Sequence, residues 1–497
     1  MTGARPSEVV IIGGGIAGLA AAWELTGGST GPDASSPHVT VIEASSRMGG
    51  KVAPTTVGDR VVDAGPDGVL ARRTELAELV DELGAADQIL PIAASGASVF
   101  ARGKVRPLPS DLSLGIPTSW SSLRRSHLLS PRGLAAALRD VVAPRPASRG
   151  HLPDRAIGGL VERKLGPEVV ATLVDPMIGG ISAGRVSEMS AAAVFPPLLE
   201  AAQQRGSLMA ALKASTAPPI PGPASDDEAP ATAPSAPPAA FISLEGGMHS
   251  VVTQLVDALE GRGVSLVTGR RITSLRRQAD HTWWVESDAA TTPADAVVIA
   301  TPAPVAARLL EPHDHDAASL LAQTEYASVA VLTFEFPADA VVLPSHGTGI
   351  LVPPGTPVPD GPRTAQRFLT TALTFLDRKW PHLGRPGTVL IRASAGRVDD
   401  TRPGQLDDAA LEAAVLDELA TLIEVGAQPS ASSVTRWADS LPQYKVNHLL
   451  RVSGIDAALD RLGGIELCGA AYSGVGVPAC VASGRAAARR LLDPARA

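Results

Sequence analysis

The 497-residue chain is too long for one simple core, and at about 100–200 residues per domain it suits two to four domains. Its 45% hydrophobic and 19% charged residues are those of a globular protein, and a net charge of −8 excludes a global attraction to nucleic acid or anionic membrane. Cys468 and Cys480 form no CxxC pair, and the His/Cys spacing gives no metal site.

The first apolar run, Val9–Ile12, ends in glycines instead of continuing as a secretory segment, and no stretch reaches the length of a membrane span. The expectation is a cytoplasmic protein, with peripheral membrane contact left open.

In chain order, Glu8–Ile12 reads as a strand, Gly13–Gly18 as a turn, and Ile16–Leu25, rich in Ala and Leu, as a helix. A polar loop over Thr26–Pro37 leads to a second strand, His38–Glu43. From about Leu90 to Ala211 the pattern is loops and helices, such as Gly133–Val142 and Ile157–Leu165. Ala214–Ala240 holds eight prolines and an acidic cluster, buries no core, and is expected to be a mobile surface loop. Strand patterns return at Gly263–Thr268, Arg271–Leu275, Thr282–Ser287 and Ala296–Ala300, with a helix at Ser250–Leu259. Ala327–Phe336 and Val389–Ala395 read as strands of a second sheet, Asp407–Ile423 as a helix, and Pro478–Leu492 as the last helix.

Gly13-Gly14-Gly15-Ile16-Ala17-Gly18 follows a strand and opens a helix. The first glycine permits the tight turn, the second lets backbone approach a pyrophosphate, and the third lets helix and strand pack closely. The helix start, with Ile16 and Ala17, offers free N–H groups to the phosphates. Glu43 ends the second strand, where a carboxylate can accept from ribose hydroxyls and would repel a 2′-phosphate. These features point to a dinucleotide and leave FAD and NAD both open.

Glu43-Ala44-Ser45-Ser46-Arg47-Met48-Gly49-Gly50-Lys51 resembles the extension found in the amine oxidase and protoporphyrinogen oxidase superfamily of flavoproteins. Asp63-Ala64-Gly65-Pro66-Asp67-Gly68 resembles the segment passing the isoalloxazine ring, and Gly474-Val475-Gly476-Val477-Pro478 the C-terminal flavin turn. Arg271-Ile272 fits the strand near the adenine. The resemblance therefore implies FAD as cofactor, with Gly13, Gly14, Gly15, Ile16, Ala17, Gly18, Glu43, Ala44, Arg47, Gly50, Lys51, Gly65, Pro66, Asp67, Gly68, Ile272, Trp437, Val475, Gly476 and Val477 as binding residues.

Further blocks narrow the match: Gly179–Gly184, Leu244–Met248, Lys379-Trp380-Pro381-His382, Thr435-Arg436-Trp437 and, above all, Pro442-Gln443-Tyr444-Lys445-Val446-x-His448. Together they resemble the oxygen-dependent porphyrinogen oxidases, nearest to the coproporphyrinogen III oxidases of Gram-positive bacteria. That resemblance implies six-electron oxidation of coproporphyrinogen III to coproporphyrin III in heme biosynthesis, by three hydride transfers to flavin with hydrogen peroxide released. Protoporphyrinogen oxidase and amine oxidase are the alternatives. Oxygen and a porphyrinogen would be partners, with transient contact to a ferrochelatase also open. Arg72, Arg73, Lys445, His448 and Arg451 are the basic candidates for substrate carboxylates. Related eukaryotic enzymes carry an arginine before the Gly103-Lys104 turn; here Ser95–Phe100 has nothing basic, which leaves that contact unassigned. No Ser/His/Asp or paired-carboxylate constellation is present, so the catalytic residue is unknown, and no metal is expected.

The expected architecture is α/β. A discontinuous Rossmann-type FAD-binding domain covers 1–70, 241–305 and 435–497. A mixed α/β substrate domain covers 71–95 and 306–434. A mostly helical domain covers 96–213, followed by the 214–240 loop.

Overall fold

Five parallel strands form the sheet whose central strand runs into the glycine turn. In the computed structural model, which describes residues 6–142, 153–204, 206–216, 239–359 and 367–493, they run in the spatial order Ser265–Val267, His38–Ile42, Glu8–Ile12, Ala296–Ile299 and Ile465–Leu467. From Glu8–Ile12 the chain continues to one side, into His38–Ile42, and returns later on the other, into Ala296–Ile299. A crevice for a ligand opens outside the carboxyl ends of strands at such a reversal, and Gly13 stands there.

Val9 and Ile11 face a core shared with helices Ile16–Leu25, Ser250–Gly261 and Val477–Leu492. Val10 and Ile12 face the opposite core, against helices Ala303–Leu310 and His448–Leu462 and the antiparallel strands Ile272–Arg277, Trp283–Ser287 and Thr291–Ala294. The alternation of a strand buried on both faces explains the unbroken apolar run. The first and last helices of the chain pack so closely that a Cβ at Gly484 would overlap the Ala17 carbonyl.

A second sheet has seven strands, in the order Ala431–Pro442, Tyr326–Pro337, Thr388–Ala395, Thr370–Phe375, Gly349–Leu351, Ser98–Ala101 and Lys104–Pro107. Helix Asp408–Leu422 covers it through Leu411, Val415 and Leu419. A third core, built on Leu160, Val161, Leu173, Leu198 and Leu212, belongs to the helices between Trp120 and Thr216.

Three expected boundaries shift. Ser98–Pro107, expected in the helical domain, is a hairpin at the edge of the seven-stranded sheet. Residues 435–442, expected in the FAD domain, continue a strand paired along Tyr326–Pro337 in that same sheet. Helix Glu75–Glu82, expected with the substrate domain, buries Leu76, Leu79 and Val80 in the core of the first and last helices. Its Glu82 accepts from Arg485 at 2.7 Å and from Trp23 Nε1 at 2.7 Å, which fixes its allegiance. Of the expected 214–240 loop, residues 214–216 end the helix Leu208–Thr216, and 217–238 lie outside the described residues.

Candidate flavin site

Gly13 has φ +110°, and a Cβ there would meet the Ala300 carbonyl oxygen at 2.9 Å. A Cβ at Gly18 would overlap the Gly13 carbonyl. Gly15 is different: nothing of the protein lies within 4 Å of its would-be Cβ. Gly15 is the N-cap of helix Ile16–Leu25, with no side-chain cap, so the first N–H groups, of Ile16 and Ala17 among them, have no cap partner. The close packing at Gly13 and Gly18 builds the turn, and the face at Gly15 is left open.

Glu43 uses one oxygen to accept from Gly14 N at 2.7 Å and the other from Ser45 N at 2.8 Å. The carboxylate therefore braces the turn. Gly49 N donates to Gly14 O at 2.7 Å, and Arg47, exposed like Ala44, folds back to donate to Gly50 O at 2.6 Å. Lys51 is half-buried, burial holds its ammonium below the usual lysine range, and no carboxylate pairs with it among the described residues. A desolvated cation beside a loop of free N–H groups suits a diphosphate. Arg270 N donates to Glu43 O at 2.9 Å, which brings the start of the Ile272 strand, with Ile272 buried, beside Glu43.

The segment Asp63–Gly68 is held from behind by its carbonyls. Arg392 donates to Asp63 O and to Gly65 O, Trp437 Nε1 to Ala64 O at 2.9 Å, and Ser243 to Asp67 O at 2.9 Å. The N–H groups of Gly65, Asp67 and Gly68 have no acceptor among the described residues. The strip thus presents donors to whatever lies in front of it, which suits the acceptor-rich edge of a flavin ring. Pro66, between them, has no N–H to lose. The Asp67 side chain points away from that role. It pairs with Lys379 Nζ at 2.9 Å and Trp380 Nε1 at 2.9 Å, with Arg392 at 3.7 Å. Burial raises its pKa, but Lys379 and Arg392 outweigh this and hold it at about 2. Sequence reading passed over Arg392, although an arginine inside the apolar run Val389–Ala393 is a legible signal of a buried partner.

At the other end of the chain, Gly474 has φ +142° and Gly476 is the uncapped N-cap of helix Val477–Leu492. Val475 lies between them in the same turn. Tyr444 Oη donates to Ala470 O at 2.6 Å and accepts from Gly474 N at 2.7 Å, tying this turn down.

The five substrate candidates are not gathered in one place. Arg73 pairs on the surface with Glu75 at 2.7 Å. Lys445 is held between Glu188 at 3.0 Å and Glu325 at 2.7 Å. His448 is buried, stacked on Tyr444, with Nε2 donating to Tyr472 O at 2.7 Å. Arg72 is exposed, and Arg451 is half-buried with only His448 Nδ1 as a side-chain partner, at 3.2 Å; neither has a carboxylate partner among the described residues.

A doubly wound parallel sheet with a glycine turn, an acid at the end of its second strand and a second sheet alongside defines a dinucleotide-dependent oxidoreductase of the flavoprotein class. The chain belongs to the flavin-containing amine oxidoreductase family, whose match covers residues 16–492. It is 32% identical to the coproporphyrinogen III oxidase of Propionibacterium freudenreichii subsp. freudenreichii over 99% of this chain and 92% of the relative. It is 29% identical to the coproporphyrinogen III oxidase of Bacillus subtilis over 97% of both chains, and 31% identical to the protoporphyrinogen oxidase of Bos taurus over 97% and 98%. A solved structure from Exiguobacterium sp. 255-15, named for protoporphyrinogen oxidase, superposes with a TM-score of 0.83 at 28% identity, covering 98% of this chain and 99% of that one. The chain is accordingly a flavoprotein oxidoreductase, and the fold and the cofactor class agree with the sequence reading. Among the described residues no cluster could hold a metal ion, and no helix is long and apolar enough to cross a membrane.

Proposed function

We propose that this enzyme oxidises coproporphyrinogen III to coproporphyrin III with FAD as cofactor and molecular oxygen as acceptor. The observation that carries the reading is near-full-length similarity to coproporphyrinogen III oxidases, at up to 32% identity. A bound flavin would take a hydride at each of three turns, and three O2 would become three H2O2 while the macrocycle loses six electrons and six protons.

The protein's part is placement. The Gly15 face, the helix start and Lys51 would hold the diphosphate, and Glu43 the ribose. The free N–H groups of Gly65, Asp67 and Gly68 would meet the ring edge, with Trp437 bracing the backbone behind them. No side chain is assigned as a base, since a pyrrole N–H can release its proton as the hydride leaves.

The tyrosines argue against an amine oxidase that frames its substrate between two aromatics. Tyr326 accepts from Ala303 N at 2.8 Å, Tyr444 bridges Ala470 and Gly474, and Tyr472 is buried. Tyr326 and Tyr444 are committed to the fold through their hydroxyls, and Tyr472 through packing, its hydroxyl having no hydrogen-bond partner among the described residues.

Four propionates on the substrate need cations, and Arg72 and Arg451 are the two arginine candidates without carboxylate partners among the described residues. A cytoplasmic location and hand-over of product to an iron-inserting enzyme complete the reading. Incubation with coproporphyrinogen III in air tests it: porphyrin fluorescence should grow with three peroxides per porphyrin. Much faster turnover of protoporphyrinogen would overturn it.

A further inference from the structure

The turn that precedes the last helix makes few bonds of its own. Among the described residues, the hydrogen bonds reaching 470–475 come from two side chains outside it, Tyr444 at Ala470 O and Gly474 N and His448 at Tyr472 O. Those two rings stack with centroids 3.8 Å apart and planes 12° apart, so they act as one block. Tyr444 is 5% exposed, and burial pushes its phenol well up, so the hydroxyl stays neutral and can both donate and accept. The block is itself anchored elsewhere: Ser190 N donates to Tyr444 O at 2.8 Å, and Gln443 Nε2 to Ser182 O at 2.9 Å.

We propose that Tyr444 is a positioning residue for the flavin, its hydroxyl fixing the Ala470–Gly474 turn so that the uncapped N–H groups at Gly476 and Val477 stay aimed at the ring. Oriented N–H donors at a helix start stabilise negative charge only while their geometry is held in advance. A reduced flavin carries more negative charge than an oxidised one. Loosening the turn therefore weakens the hold on the reduced form more than on the oxidised form. The inference rests on a flavin lying against this turn and is independent of which substrate is oxidised.

The test is the midpoint potential of the bound flavin in the holoenzyme, measured without substrate, for wild type and Tyr444→Phe. Phe keeps the ring stack and loses both bonds of the hydroxyl. The expected result is about tenfold weaker relative binding of reduced flavin, a potential about 30 mV more negative for a two-electron couple. An unchanged or more positive potential in a folded, flavin-loaded variant overturns the proposal. If Tyr444→Phe does not fold, Tyr444→His, which keeps a planar ring for the stack but falls short of Ala470 O and Gly474 N, is measured with the same criterion. Because no porphyrinogen enters the measurement, a failed substrate assay and a failed positioning role cannot be mistaken for each other.

Discussion

Lys379 Nζ sits 2.9 Å from Asp67 Oδ2, with side chains only 15% and 17% exposed. The pair links the seven-stranded sheet's side of the molecule to the Asp63–Gly68 backbone strip. Breaking a largely buried pair on one side leaves the other charge without its partner. Trp380 and Arg392 remain near Asp67, so the loss is partial. Lys379→Met is expected to cost about 2 kcal/mol of stability. Urea unfolding of the apoprotein measures it, and the same variant should lose flavin more readily, because the Asp67 N–H moves with its side chain.

Asp67 also sets a limit at acid pH. Its pKa falls from 3.8 to about 2 on folding. A carboxylate depressed in the folded state stabilises above its unfolded pKa and loses that contribution as pH falls through the folded one. The shift corresponds to about 2 kcal/mol, fully present above about pH 4 and lost toward pH 2. Asp67→Asn should flatten the stability profile across that window and leave its slope above pH 5 unchanged.

His448 works in a higher window. Burial first, then the Arg451 charge, hold it below the usual 6.5, against the pull of the Tyr472 carbonyl and Asp154. The unfolded chain then takes up a proton near 6.5 that the native protein refuses. Stability should fall as pH drops below about 6.5, by up to about 1.4 kcal/mol per unit for one proton. Thermal melts between pH 7.5 and 5.5 show the slope, and His448→Gln should remove it.

The glycine turn allows ligand and fold effects to be separated. Gly15 has φ −69°, which any residue adopts, and its Cβ direction is open. Gly15→Ala should leave apoprotein stability within about 0.5 kcal/mol. It should weaken flavin binding about 10- to 100-fold, because the methyl occupies ligand space. Gly18→Ala forces a Cβ onto the Gly13 carbonyl and to 3.1 Å from Ala300 Cβ, and should destabilise the apoprotein by about 3 kcal/mol. Equal stability losses in the two variants would contradict the assignment of Gly15 to the ligand face.

What could be read from the sequence was what is local. Glu8–Ile12 and Ile16–Leu25 match their expected limits, and the last helix starts at Val477 instead of Pro478. Turn chemistry and periodicity decide such elements within a few residues. Pairing across the chain was not legible. The patterns of Ser98–Ala101 and of residues 435–442 do not say which sheet each joins, because that depends on partners more than a hundred residues away. The same holds for side-chain commitments. Nothing near Lys445 in sequence shows that Glu188 and Glu325 hold it. Nor does anything beside Asp67 announce Lys379. Backbone contacts of glycine motifs follow from spacing, whereas charge pairs depend on the finished fold.

Substrate discrimination is the sharpest test of that difference. Lys445 already faces two carboxylates, so Lys445→Ala should change KM for the four-carboxylate and two-carboxylate porphyrinogens equally, and by less than about twofold. Its exposed pairs are worth about 1 kcal/mol or less to the fold. Arg451 is a half-buried guanidinium that burial makes harder to keep charged, with no acid beside it among the described residues. A substrate carboxylate would supply that acid. Arg451→Ala and Arg72→Ala should each raise KM for coproporphyrinogen III about tenfold, corresponding to one charged hydrogen bond of 1.5 kcal/mol or somewhat more. KM for protoporphyrinogen should rise less, since it carries two propionates where coproporphyrinogen III carries four. Steady-state kinetics on both substrates decide the matter: equal increases in the Arg451 and Arg72 variants would remove these arginines from discrimination, and a selective increase in Lys445→Ala would mean that its ion pairs open when substrate arrives.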